Sequence, residues 1–177
     1  MESIRQPLTS RQYESASNSC FNLNALLDHL ELKGKDRAIV SKKLAPYFAM
    51  LPEKITQDLL SLLKGIKFAP QQQSSSLART DAVLQAPNTH LIVFENEGIR
   101  LLEVLVDPGE EVPFHSHQWD SLMVTIQGSR FKINDGKTIC EEDWLLMAEK
   151  LEGSLQPLSY QNIGTDVFHA FAFELKF

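Results

Sequence analysis

Two histidines, His115 and His117, stand one residue apart in PFHSHQWDS, between the turn signal Pro108-Gly109 and the alternating run SLMVTIQ. In a strand, side chains two positions apart point to one face, so both imidazoles project together. Two imidazoles at that spacing can share one metal ion. A metal that does chemistry needs a third protein ligand and an open position. The best third ligand is His169. In VFHAFAFEL the residues Val167, His169, Phe171, Phe173 and Leu175 share a face, opposite Phe168, Ala170, Ala172, Glu174 and Lys176. The first face is the more apolar and is expected to point inward, with His169 on it. Glu103, alternating with apolar neighbours in LLEVLVD, is a further candidate as ligand or base. Ser121 has the parity of the histidine pair, and its hydroxyl would hydrogen-bond a bound organic molecule rather than a metal. Trp119 is a candidate pocket wall. Asp120 should face away, His90 reads as a rim or surface residue, and His29 as a structural or solvated one.

The elements that would carry these residues fall into zones. Residues 1–19 are polar and aperiodic, and read as a loose tail. Residues 20–69 read as a helical segment. Leu23, Leu26, Leu27 and Leu30 recur at helical spacing, Pro46 is placed to end or kink a second helix, and PEKITQDLLSLLKG offers a third. Residues 70–85, opening with PQQQSSS, read as a linker. From residue 86 to 177 the period changes. Short strand-like runs (THLIVFE, IRLLEVLVD, DSLMVTIQG, RFKIND, DWLLMAE, LSYQNIG and DVFHAFAFEL) are separated by turn signals such as Asp135-Gly136. Such spacing predicts an antiparallel sandwich or barrel, with Trp144, Phe131 and Met123 in its core.

Charge follows the same boundary. Residues 20–66 carry five acids and seven bases, net +2; residues 67–177 carry sixteen acids and eight bases, net −8. The whole chain is at −6, which argues against nucleic-acid binding. No apolar run approaches the ~20 residues needed to span a bilayer, so no membrane contact is expected. The start MESIRQPLTSRQ has no apolar core and does not read as a secretory signal. Cys20 and Cys140, far apart, make neither a disulfide framework nor a zinc site, and a cytoplasmic protein with reduced thiols is expected.

From Gly109 through His115, His117 and Ser121 to Gly128, the spacing resembles the first motif of the cupin superfamily, G-x5-H-x-H-x3/4-E-x6-G. Ser121 stands where the family has a glutamate ligand. LSYQNIG resembles the end of the second motif: Asn162 matches its asparagine, while the histidine-ligand position falls on Leu158. The Trp-x-Ser after the pair resembles a small subgroup with H-x-H-P-W-P-S, Gln118 and Asp120 replacing its prolines. The resemblance implies a mainly β protein: a C-terminal double-stranded β-helix, the cupin jelly-roll barrel, behind an N-terminal helical segment. It further implies inward-pointing ligands and a small-molecule pocket at the barrel's mouth. Relatives hold iron, manganese, nickel or zinc, and act as dioxygenases, isomerases or decarboxylases; others bind ligands without chemistry.

Two readings follow. In one, the barrel binds a small molecule with a reduced or absent metal site, or no metal at all. In the other, the chain is a metal-dependent enzyme of dioxygenase or isomerase type, built on the His115/His117 pair and completed by His169, Glu103 or water. No residue is assigned to catalysis. The helices are expected to pack on the barrel or to build a homodimer interface.

Overall fold

A computed structural model describes residues 23–66, 79–151 and 157–176. The expected tail, Cys20 and the first part of the expected linker lie outside the described residues. Contacts divide the chain into two units, Met1–Leu60 and Ser61–Phe177.

The first unit is helical. Helix α1 covers residues 23–29, and the stripe Leu23, Leu26, Leu27 and Leu30 is buried as its spacing predicts. Helix α2 spans Gly34–Phe48 and buries Val40, Leu44 and Phe48, one turn apart. Pro46 does not stop it at once; α2 ends two residues later. Arg37 ties the two helices together through Asp28 (2.6 Å) and the Asn24 side chain (3.0 Å). Helix α3, Glu53–Gly65, runs across the boundary between the units. Among the described residues no helix is long and apolar enough to cross a membrane.

The second unit is β-rich. After a short helix α4 (Ala82–Gln85) come β1 (His90–Glu95), β2 (Ile99–Val106), β3 (Glu111–His115), β4 (Ser121–Gln127), β5 (Ser129–Asn134), β6 (Ile139–Trp144), β7 (Ala148–Leu151), β8 (Leu158–Asn162) and β9 (Phe168–Leu175). They form a five-stranded sheet, β1-β2-β9-β4-β7, and a four-stranded sheet, β3-β8-β5-β6. Setting β1 aside, β2 pairs with β9, β3 with β8, β4 with β7 and β5 with β6, all antiparallel. The chain from β2 to β9 is therefore one long hairpin ribbon folded at β5–β6. Its successive segments go to alternate sheets, which winds the ribbon into a double-stranded β-helix. The core between the sheets holds Val104, Val106, Val112, Phe131, Ile133, Tyr160, Phe168 and Ala170.

Two strands escaped the sequence pattern, β3 and β6. Both are edges of the four-stranded sheet. β3 contains Pro113, tolerated where no neighbour needs its N–H. β6 is ICEEDW, and its acidic residues are exposed on both faces, which keeps other strands from adding to that edge. Neither has the apolar alternation by which the others were read.

The ordered barrel also begins earlier than residue 86. Asp81 forms a parallel bridge with Ser116. The Ser116 N–H donates to the Thr80 carbonyl (2.7 Å), and the Ala82 N–H donates to the Ser116 carbonyl (2.9 Å). Residues 79–85, expected as linker, are packed structure.

Motif glycines have backbone reasons. Gly109 sits at φ +82°, in the left-handed region, and at Gly128 a Cβ would run into the Trp144 carbonyl oxygen. Asn162, fully buried, donates to the carbonyls of Val106 and Asp166 (both 2.9 Å) and accepts from Ser129 Oγ (2.7 Å) and the Gly164 N–H (3.0 Å). Its role is to pin the turn after β8.

Candidate metal centre

Three imidazoles converge at the barrel interior. His115 is the last residue of β3, His117 lies two residues beyond it, and His90 opens β1. The His90 ring centroid is 4.6 Å from that of His115 and 5.7 Å from that of His117; the latter two are 5.8 Å apart. One ring nitrogen from each lies within 4.8 Å of the others. His117 is past the strand's end, so strand alternation alone does not aim it. The Asp81–Ser116 bridge does, by fixing the backbone between the two histidines.

Hydrogen bonds settle which nitrogen of each ring is left to face the centre. His115 Nδ1–H donates to the Pro113 carbonyl (2.9 Å), which can only accept. His117 Nδ1–H donates to Glu174 Oε1 (2.7 Å). Thr89 Oγ1 lies 3.2 Å from the Ala86 carbonyl and 3.0 Å from His90 Nδ1; when it donates to the carbonyl it accepts from His90 Nδ1–H. In each ring Nε2 keeps its lone pair. This is how metal-binding histidines are oriented: one nitrogen donates to a neighbour and the other points to the ion. Burial, the neighbouring His115 and His117, and Arg100 push the pKa of His90 well below its ordinary value, against a hydrogen bond to Ala86. Burial, aided by His117, lowers that of His115 to about 4. Near neutral pH both rings are the neutral form that coordinates.

Behind His117 lies a buried ionic chain. Glu174 accepts from Arg100 Nε as well as from His117. Arg100 also makes two parallel bonds to Asp81 (2.8 and 2.7 Å), and Gln118 Nε2 donates to the same carboxylate. Asp81, Arg100 and Glu174 are each at most 3% exposed. Burial opposes the guanidinium's charge, but the hydrogen bonds to Asp81 and Glu174 outweigh it and raise its pKa. Two carboxylates against one guanidinium leave one excess negative charge in the interior beside His117. A cation held by the three imidazoles would offset it.

The histidines close one end of a cavity of about 120 Å³. Its other walls are Val104, Ser116, Met123, Trp144, Leu151, Leu158, Tyr160 and Phe168. Burial, and to a lesser degree Glu110, raises the Tyr160 pKa, so its phenol stays neutral.

The residues singled out by sequence divide. His115 and His117 are brought together. His90, read as a rim residue, is instead 3% exposed and the third member of the cluster. His169 and Glu103 are on the other face. In β9 the cavity face is Phe168, Ala170, Ala172 and Glu174, the reverse of the expected one. His169 Nε2 lies 3.1 Å from Glu103 Oε1, across the β2–β9 pair and away from the cluster. The apolarity count misled because both faces are buried: Phe171 and Phe173 on one, Ala170 and Ala172 on the other, all at 0% exposure. A closed barrel interior takes alanine, and the buried Glu174 made the true inner face look polar.

Trp119 is not a cavity wall. Its ring lies under the Arg100 guanidinium (4.8 Å) and the Lys176 ammonium (5.3 Å). Ser121 faces inward, opposite Glu174 in register, and its buried Oγ has no hydrogen-bond partner. It does not line the cavity. Met123 and Trp144, expected as core, line the cavity and pack on the core from there. Arg100, Asp81 and Glu174 were missed. They come from three distant segments, and no local pattern links them.

The winding of the ribbon, strand i with strand eleven minus i across two sheets, decides the architecture. The chain has the cupin fold. No protein-family model and no curated protein matches its sequence. Among solved structures it is similar to a cupin domain from Bordetella pertussis Tohama I, at 16% identity and a TM-score of 0.46, over 50% of this chain and 92% of that one. A cupin family protein from Methanocaldococcus jannaschii matches at 11% identity and TM-score 0.40, over 49% of this chain and 77% of the other. An uncharacterised double-stranded β-helix protein from Klebsiella pneumoniae matches at 12% and 0.40, over 60% and 91%.

Within this cupin barrel the departures from the motifs gain a spatial meaning. Leu158, at the second motif's histidine position, lies across from His115 in register and lines the cavity. The third imidazole comes from β1 instead. Ser121, at the glutamate position, faces Glu174, whose carboxylate now binds His117 rather than reaching the centre. The donor set fits a divalent transition metal: three imidazoles, each backed by an acceptor, beside two carboxylates and one guanidinium. Nitrogens around one tetrahedral ion sit about 3.4 Å apart at bond lengths near 2.1 Å. From 4.8 Å, modest ring movements would close the set.

Proposed function

We propose that this chain holds one divalent transition-metal ion through His90, His115 and His117, and presents the ion's open positions to a small molecule in the apolar cavity. The observation that carries the proposal is the convergence of three imidazoles whose Nδ1–H groups are all committed to acceptors elsewhere. When bound, such an ion supplies Lewis acidity and lowers the pKa of a bound water or hydroxyl. The protein's own part follows from its geometry. Pro113, Glu174 and Thr89 fix the ring orientations. Glu174 feeds negative charge into the His117 ring, and Arg100 and Asp81 hold Glu174 in place. Val104, Met123, Leu158 and Phe168 exclude water from the other side. Three neutral ligands leave more of the metal's charge uncompensated than a set with a carboxylate would, which favours polarisation of a bound group.

Metal titration of the stripped protein tests this. Wild type should take up close to one equivalent of manganese, iron, nickel or zinc. His90→Ala should weaken uptake at least tenfold, which separates this three-histidine set from a pair alone. No uptake of any of the four ions by wild type would overturn the reading.

A further inference from the structure

The cavity also states what kind of molecule it takes. We infer that its ligand is a compact molecule, neutral in water, with an apolar body of about one six-membered ring and a single hydroxyl or thiol donor at one end.

Size comes first. The cavity is about 120 Å³, and apolar protein cavities of about 150 Å³ admit benzene. The cavity is therefore no roomier than one small ring needs. Polarity comes next. Val104, Met123, Leu158 and Phe168, with the rings of Trp144 and Tyr160, form the walls away from the histidines. The Ser116 hydroxyl is already paired with Thr80 Oγ1 at 2.6 Å. Among the described residues no Lys, Arg, Asp or Glu lines the cavity. The nearby guanidinium, Arg100, is turned to Asp81 and Glu174 and does not line the cavity. A carboxylate or ammonium on the ligand's body would therefore be stripped of water against hydrocarbon with no partner.

Charge at the histidine end is different. Asp81 and Glu174 face one guanidinium, Arg100, and Glu174 also meets His117 of the cluster. A divalent ion held by the three imidazoles would take one anionic oxygen or sulfur at an open position. A phenol, enol or thiol gives up its proton to water on binding and supplies that single charge. The donor-atom part of this inference rests on the metal reading above; the apolar body does not.

Three probes of one ring size test it on the full chain at mildly alkaline pH: toluene, p-cresol and p-hydroxybenzoate. Binding is followed by calorimetry, to metal-stripped and zinc-loaded protein. Toluene should bind the stripped protein, and zinc should change its affinity less than threefold. Zinc should tighten p-cresol at least tenfold. p-Hydroxybenzoate, whose carboxylate would meet the apolar walls, should bind at least tenfold more weakly than p-cresol in both forms. Met123→Trp should abolish toluene binding while retaining zinc uptake, which also reports that the barrel has folded. The inference is overturned if toluene fails to bind the stripped protein, or if p-hydroxybenzoate binds as tightly as p-cresol. Absence of zinc uptake would sink the metal centre alone and leave toluene to decide the cavity.

Discussion

Two polar pairs bridge the same two strands, β2 and β9, on opposite faces. Arg100 meets Glu174 on the cavity side, and Glu103 meets His169 on the other. The inner pair is extended at both ends: Asp81 clamps the guanidinium and His117 takes the remaining carboxylate oxygen. The outer pair reaches none of the three clustered histidines. A buried ion pair alone is weak evidence of function, since burial costs each ion several kcal/mol of hydration. What marks the inner chain is where it ends, on a ring whose other nitrogen faces two more imidazoles. The outer pair is likewise a glutamate with a basic partner, but without that destination.

The largest test of this difference is Arg100→Met against Glu103→Gln. The first leaves Asp81 and Glu174 buried without a counter-charge and should cost about 4 kcal/mol in urea unfolding. The second takes the charge off the acceptor of the His169 hydrogen bond and should cost about 1 kcal/mol. Equal costs would erase the contrast.

Acid comes next. The folded pKa of His115 lies at about 4, below its ordinary 6.5. Below 6.5 the unfolded chain takes up a proton that the folded chain refuses. Stability of the metal-stripped protein is therefore full above 6.5 and falls as pH drops toward 4. The loss is roughly 3 kcal/mol from His115, with more from His90, which shifts the same way. In His115→Leu the unfolding midpoint should fall less steeply over that range.

Metal affinity separates the two faces directly. His117→Ala should weaken zinc binding about 100-fold, and Glu174→Gln, which keeps the shape but removes the charge behind the ring, about tenfold. His169→Ala should stay within threefold. A large effect at His169 would show that the outer pair belongs to the centre after all.

The smallest effect is expected at Ser121. Its hydroxyl is buried without a partner, so Ser121→Ala should leave the unfolding free energy unchanged or raise it by up to about 1 kcal/mol.

Much of the architecture was legible because it rests on short-range rules. The leucine stripe of α1, the turn signals and the alternating runs report local geometry and burial together. The His-x-His pair, bracketed by Gly109 and Gly128, marked one side of the centre because two of its ligands are neighbours in the chain. His90 gave no such signal. It lies 25 residues before His115, at the start of a strand, where a polar residue usually means a rim. The choice of His169 failed for another reason: when both faces of a strand are buried, counting apolar residues cannot say which one looks into the barrel.

By itself, then, the sequence determined where most strands and helices form, that the β-rich part is antiparallel, and that two imidazoles start out together. Those properties depend on residues a few positions apart. Only the tertiary structure decided which face of β9 is the inside, which third histidine completes the set, and that Asp81, Arg100 and Glu174 form one charged chain behind it. Those residues are 19 and 74 positions apart, and only the winding of the ribbon brings them within hydrogen-bonding distance.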